Sequence, residues 1–134
     1  MKNTKVWWGI AVAWCIATAV ATQQPFFTGD STEELLSNPF FDSAILNYIA
    51  RKCVHVTAFG LLALWFWLAL RGKQHRYALA WGLATLYGAI DEWHQSFIPD
   101  RSGAVTDVLI NSFGACLMLA IVYSVTRKRQ VSHR

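Results

Sequence analysis

Four apolar runs, separated by short polar stretches, dominate this chain: Val6 to Ala21, Ile49 to Leu70, Tyr77 to Ile90 and Ala104 to Thr126. A helix needs roughly 20 apolar residues to cross a bilayer, within a range of about 17–25. The second and fourth runs meet that length outright, and the first meets it with its flanks. The third is short and spans only if it carries the Asp91–Gln95 turn into the outer headgroup region. The pattern predicts an all-α polytopic membrane protein with four transmembrane helices, at approximately 6–22, 49–70, 77–95 and 104–126. At 134 residues, 54% of them apolar, the chain has room for one domain, residues 1–134.

The connections fill in the outline. Residues 23–48 form the one sizeable extramembrane segment. Within it Ser31-Thr32-Glu33-Glu34 matches a capping box that opens a short helix, and Asn38-Pro39 ends it. Phe26, Phe27, Leu35, Leu36, Phe40 and Phe41 make it too apolar for a free loop, so it is expected to lie on the outer membrane surface over the bundle. Asp42 or Ser43 then caps a helix running through Asn47, Arg51 and His55 into the second span. The short Arg71–Arg76 loop makes helices two and three antiparallel neighbours. No internal repeat or low-complexity tract interrupts this plan.

Charge gives the orientation. Of twelve Lys and Arg residues, nine lie at Lys2, Lys5, Arg71, Lys73, Arg76, Arg127, Lys128, Arg129 and Arg134. Four spans put all of these on one side, which the positive-inside rule makes cytoplasmic. All eight acidic residues (Asp30, Glu33, Glu34, Asp42, Asp91, Glu92, Asp100, Asp107) fall on the other side. Both termini are therefore expected in the cytoplasm. The net charge of +4 belongs to membrane-flanking residues, and without a basic surface interleaved with aromatics no nucleic-acid partner is expected. Trp7, Trp8, Tyr77, Trp81 and Tyr123 suit the inner interface and Trp93 the outer one, while Trp65 and Trp67 suit packing or lipid contact. Lys2, Lys5, the apolar core and Ala19-Val20-Ala21 also fit a secretory signal, whose cleavage would leave three spans with the same orientation. Cys15, Cys53 and Cys116 all lie in apolar segments, as small buried hydrophobes do.

Candidate chemistry is concentrated in Asp91-Glu92-Trp93-His94-Gln95-Ser96-Phe97-Ile98-Pro99-Asp100-Arg101-Ser102. Ionisable groups so close to hydrocarbon are costly and mark functional sites. Only fourteen apolar residues precede Asp91, a rise of about 21 Å against a core of about 30 Å, which pulls the cluster below the membrane surface. Asp91 lies beneath His94 and Gln95, and Glu92 points roughly 100° away, so at most one carboxylate points straight into a given cleft. Helix two enters with Arg51, Lys52 and His55; Lys52 either joins the site or snorkels to the headgroups, whereas His55 lies a turn deeper. Helix four carries Asp107 and Asn111 on one face, near Gly114; such a pair serves either a site or helix-joining hydrogen bonds.

Topology brings these groups to one end. Arg51, Lys52, Gln95, Arg101, Ser102 and Asn111 are the candidate ligand-binding residues, and His55, Asp91, Glu92, His94 and Asp107 the candidates for any catalysis. Three cations and the N-terminal poles of helices two and four suit an anion, with phosphate the natural anion at headgroup level. Three carboxylates and two histidines equally suit a divalent metal; no HExxH, CxxC, P-loop or serine-elbow pattern decides between the two readings, and no metal ligand is assigned. No cofactor is indicated.

The strings Arg51-Lys52-x-x-His55, Asp91-Glu92-x-His94-Gln95-x-Phe97-x-Pro99-x-Arg101-Ser102 and Asp107-x-x-x-Asn111-x-x-Gly114 resemble the VanZ-like family of small bacterial membrane proteins. The resemblance covers helices two to four and agrees with the four-span layout. It implies a cell-envelope role on the outer face, of the kind associated with low-level resistance to the glycopeptide teicoplanin. Family members often carry Glu and Tyr where this chain has Ala58 and Phe59, and Gly where it has Asp100. The missing carboxylate beside His55 weakens any metal or acid–base role built on it.

Two functions follow. In the first, the outer cleft binds an anionic membrane lipid, a lipid-linked phosphate or a cell-wall precursor. In the second, the protein is an intramembrane hydrolase or transferase on such a ligand: His55 or His94 is the acid–base, a carboxylate the base or nucleophile, and Arg51 and Arg101 stabilise charge. A proton-coupled transporter is disfavoured, because no ionisable group lies at the midplane.

Overall fold

A computed structural model describes residues 3–23, 43–97 and 105–132. These form four helices: α1 (Thr4–Gln23), α2 (Ser43–Ala69), α3 (Arg76–Gln95) and α4 (Val105–Ser132). The chain is all-α and membrane-helical, and no strand occurs among the described residues. Three helices are long and apolar enough to cross a bilayer, at Thr4–Thr22, Tyr48–Ala69 and Val105–Arg129. The fourth, α3, is less apolar for a structural reason. Its buried stripe is Ala80, Ala84, Gly88, Asp91, Glu92 and Gln95, whereas Leu79, Trp81, Leu86, Ile90 and Trp93 are exposed. Polar groups face in and apolar groups face out, the reverse of a helix bathed in water. The expected outer-surface segment, with its capping box at Ser31–Glu34, lies outside the described residues.

Contact register gives the direction of each helix. Lys52 meets Asp107 and His55 meets Asn111, at near-constant separations of 55 and 56 residues, so α2 and α4 run parallel. Thr18 with Tyr87 and Thr22 with Asp91 are both 69 apart, so α1 and α3 are parallel as well. Between α1 and α2 the pairs Trp7–Trp65 and Trp14–Ala58 run in opposite senses, as do Tyr77–Thr126 and Thr85–Ser112 between α3 and α4. The bundle therefore alternates, with the starts of α2 and α4 beside the ends of α1 and α3.

Helix α2 is central. It packs most extensively along α4 and also against α1 and α3. Its buried face (Phe59, Leu62, Ala63, Phe66, Trp67), with Leu70 just past its end, forms the core with Ala11, Ala80, Ala84, Ala115 and Leu119. Small residues set the closest approach. A Cβ on Gly114 would lie 2.4 Å from the Val56 carbonyl oxygen, so α2 and α4 touch backbone to backbone, as helices in lipid do. The turn from α2 to α3 reverses at Gly72, whose φ of 88° favours glycine, and the Lys73 N–H donates to the Leu70 carbonyl at 3.1 Å. Helix α4 continues past the expected end at 126 to Ser132. Arg127, Lys128 and Arg129 are good helix formers and suit the negative pole of a helix C-terminus.

Candidate functional site

The start of α2 offers Lys52 and His55 on neighbouring turns, and the start of α4 offers Asp107 and Asn111 four residues apart. Because the two helices are parallel and close, these groups pair in order. The Lys52 ammonium forms an ion pair with Asp107, so it turns to a partner helix instead of snorkelling. One turn deeper, His55 Nδ1 and Asn111 Oδ1 are 3.0 Å apart. Since Oδ1 only accepts, the His55 Nδ1–H is the donor in this pair. The imidazole is parallel to the Phe59 ring at 6.4 Å, and Phe59 in turn packs against Tyr87 at 6.0 Å.

The end of α3 closes the cluster. Asp91, Glu92 and Gln95 are buried, at 4%, 4% and 8% exposure. The Gln95 amide donates to Asp91 Oδ2 at 2.8 Å, and the Thr22 hydroxyl donates to Asp91 Oδ1 at 3.4 Å. Both neighbouring carboxylates are buried although they point about 100° apart. Helix α3 contacts α1, α2 and α4, so its buried arc is wide enough to hold both. His55 and His94 lie within electrostatic reach of the Asp91 carboxylate.

Asn111 is the most buried polar side chain among the described residues, with 0% exposure, and its Nδ2 has no hydrogen-bond partner among them. Space for it comes from Gly88, where a Cβ would sit 3.5 Å from that Nδ2 and 3.1 Å from Phe59 Cε1. An unpaired buried amide donor costs about 1–3 kcal/mol.

Of the residues expected at the site, the structure gathers Lys52, His55, Asp91, Glu92, Gln95, Asp107 and Asn111 at one end of the bundle. Arg51 and His94 share that end but are exposed. Arg101 and Ser102 lie outside the described residues. Among the described residues, no three His, Cys, Asp or Glu side chains come together to hold a metal ion.

Helix α1 contributes what sequence reasoning missed. Thr22 reaches Asp91, and one turn deeper the Tyr87 hydroxyl donates to the Cys15 carbonyl at 2.6 Å and lies 3.1 Å from Thr18 Oγ1. A signal existed: Thr18 and Thr22 are four apart, as are Tyr87 and Asp91, so two parallel helices at one register present matching polar stripes.

A family model described as VanZ/LLP1 matches residues 7–126. The chain belongs to the VanZ/LLP1 family. No curated protein and no solved structure matches it. In this VanZ/LLP1 protein the matched span runs from the first tryptophan of α1 to Thr126, just before the basic end of α4. The whole polar cluster, Thr22 to Asn111, falls inside it. At the two departures in α2, the Ala58 carbonyl accepts a hydrogen bond from the Trp14 indole at 3.0 Å, and Phe59 carries the stack between His55 and Tyr87. Both positions serve packing here.

Proposed function

We propose that this VanZ/LLP1 member is a cell-envelope protein of the bacterial cytoplasmic membrane whose polar end faces outward and binds an anionic lipid-linked or cell-wall-related ligand, contributing in that way to glycopeptide (teicoplanin) resistance. Both termini are then cytoplasmic. The supporting observation is Asn111, a fully buried amide whose Nδ2 lacks a partner among the described residues. A polar ligand that fills this need offsets the cost of burying the group.

The division of labour follows from charge. Asp91, Glu92 and Asp107 make the interior of the cluster acidic, so it suits hydroxyl, amine or amide donors. Asn111 adds a donor for a carbonyl or ether oxygen. The anion belongs at the rim, where the Arg51 guanidinium is exposed and Arg101 follows α3 in the chain. Planar guanidinium groups grip phosphate oxygens in pairs, which lysine cannot fully reproduce.

Thermal unfolding of the purified protein with added polyprenyl phosphate, against the matching polyprenol, tests the reading. A ligand present at about 100 times its Kd stabilises by about 2.7 kcal/mol. The phosphate is expected to raise Tm and the alcohol much less, with Arg101→Ala removing the difference and Asp91→Asn retaining most of it. Equal shifts from both lipids would exclude anion recognition.

A further inference from the structure

At the opposite end of the bundle a second feature stands apart from the polar cluster. Trp67 of α2, Tyr77 of α3 and Tyr123 of α4 form a continuous aromatic row, with ring centres 5.7 and 5.9 Å apart. The Arg76 guanidinium lies over it, 4.3 Å from the Trp67 ring and 5.3 Å from the Tyr77 ring. Arg76 forms no hydrogen bond or ion pair with another described residue, so its position comes from the ring faces alone. A guanidinium held by its faces keeps its N–H edge available for an oxyanion. Trp67 is 7% exposed and gives this end a rigid aromatic floor. One turn beyond Tyr123, a surface depression on α4 is lined by Arg127 and Lys128. The described carboxylates Asp91, Glu92 and Asp107 all sit at the other end of the bundle.

We propose that this basic, aromatic-floored end is a binding site for the headgroup of an anionic phospholipid. The phosphodiester bridges Arg76 and Arg127, and its acyl chains lie along the exposed apolar surface beside Leu79 of α3 and Tyr123 of α4. Charge complementarity and the preoriented guanidinium point to a phosphate ester. The exposed apolar side chains beside it, Leu79 and Tyr123, favour a lipid over a soluble phosphate. This site is independent of whatever the polar end binds.

Native mass spectrometry of the detergent-purified full chain, titrated with phosphatidylglycerol and separately with phosphatidylcholine, is the test. Phosphatidylglycerol is expected to bind as one retained lipid and phosphatidylcholine to be lost. Each basic residue near a headgroup contributes about a fivefold change in affinity, so the Arg76→Ala, Arg127→Ala double variant should weaken retention by about 25-fold. Arg71→Ala with Lys73→Ala removes the same charge from the same end and should leave retention near that of the parent. Arg76→Lys keeps the charge without the planar stack, so it guards against a folding defect, and it should give an intermediate loss. Equal losses from both double variants would mean diffuse attraction, and displacement by millimolar inorganic phosphate would mean a soluble ligand. Either result, or equal retention of the two lipids, overturns the proposal.

Discussion

A histidine and an asparagine meet 3.0 Å apart at the interface of α2 and α4. Asn111 is wholly buried, so truncating it strands the His55 Nδ1–H where water cannot replace the amide oxygen. Asn111→Leu exchanges one unpaired donor, the Asn111 Nδ2, for another, the His55 Nδ1–H, and forfeits their hydrogen bond, so a net cost of about 0.5–1.5 kcal/mol is expected. His55→Phe should cost less, because the new ring can keep the stack on Phe59. Making both changes together removes the donor with its acceptor, and the double variant should be more stable than the sum of the single losses. Reversible unfolding in mixed micelles measures the cycle. Strict additivity would show that the contact contributes nothing.

At the scale of elements, the closest packing in the bundle is between α2 and α4, and glycine makes it possible. A Cβ on Gly114 would fall 2.4 Å from one backbone oxygen and 2.8 Å from the Cα of Val56. Gly114→Ala therefore must push the helices apart and shift the register that pairs Lys52 with Asp107 and His55 with Asn111. A cost of about 1–3 kcal/mol is expected, as for overpacking generally. Gly82→Ala is the control: it meets nothing within 4 Å, so it should be neutral or slightly stabilising. Thermal shifts of the two variants in one detergent decide the point, and equal effects would refute the contact.

The same elements show what could be read from the chain alone. Run lengths were enough for α1, α2 and α4, because each carries an apolar window of spanning length. Helix α3 was ambiguous because its inward stripe is made of alanine, glycine, two carboxylates and an amide, which lowers its hydropathy without exposing it to water. Gathering the polar residues at one end required only alternation of the spans. Pairing Lys52 with Asp107 required knowing which faces of α2 and α4 meet, and that depends on small residues whose fit appears only in three dimensions. The part of α1 was missed for a related reason: threonines in an apolar run look like spacers until a partner helix brings Tyr87 and Asp91 to the same register.

For the whole molecule, alternating helices divide the charge between two ends, and this predicts how the protein sits in a membrane. The α2–α3 turn carries Arg71, Lys73 and Arg76 together with the exposed Gln74, while the far end of α3 carries the exposed Phe97. Helix α3 has 20 residues and rises about 1.5 Å per residue, so these two positions are about 30 Å apart, close to the hydrocarbon thickness of a bilayer. The native thiols, Cys15, Cys53 and Cys116, lie within the helices and can be replaced by alanine to give a clean background. Single cysteines introduced as Gln74→Cys and Phe97→Cys should then respond oppositely to a membrane-impermeant maleimide. In intact cells with a permeable outer barrier, position 97 should label and position 74 should not, and after lysis both should label. The reverse pattern would turn the polar cluster toward the cytoplasm, remove it from extracellular wall precursors and glycopeptides, and leave the basic end facing outward. Labelling of both positions in intact cells would mean that α3 does not cross the membrane, whatever its packing against α1, α2 and α4.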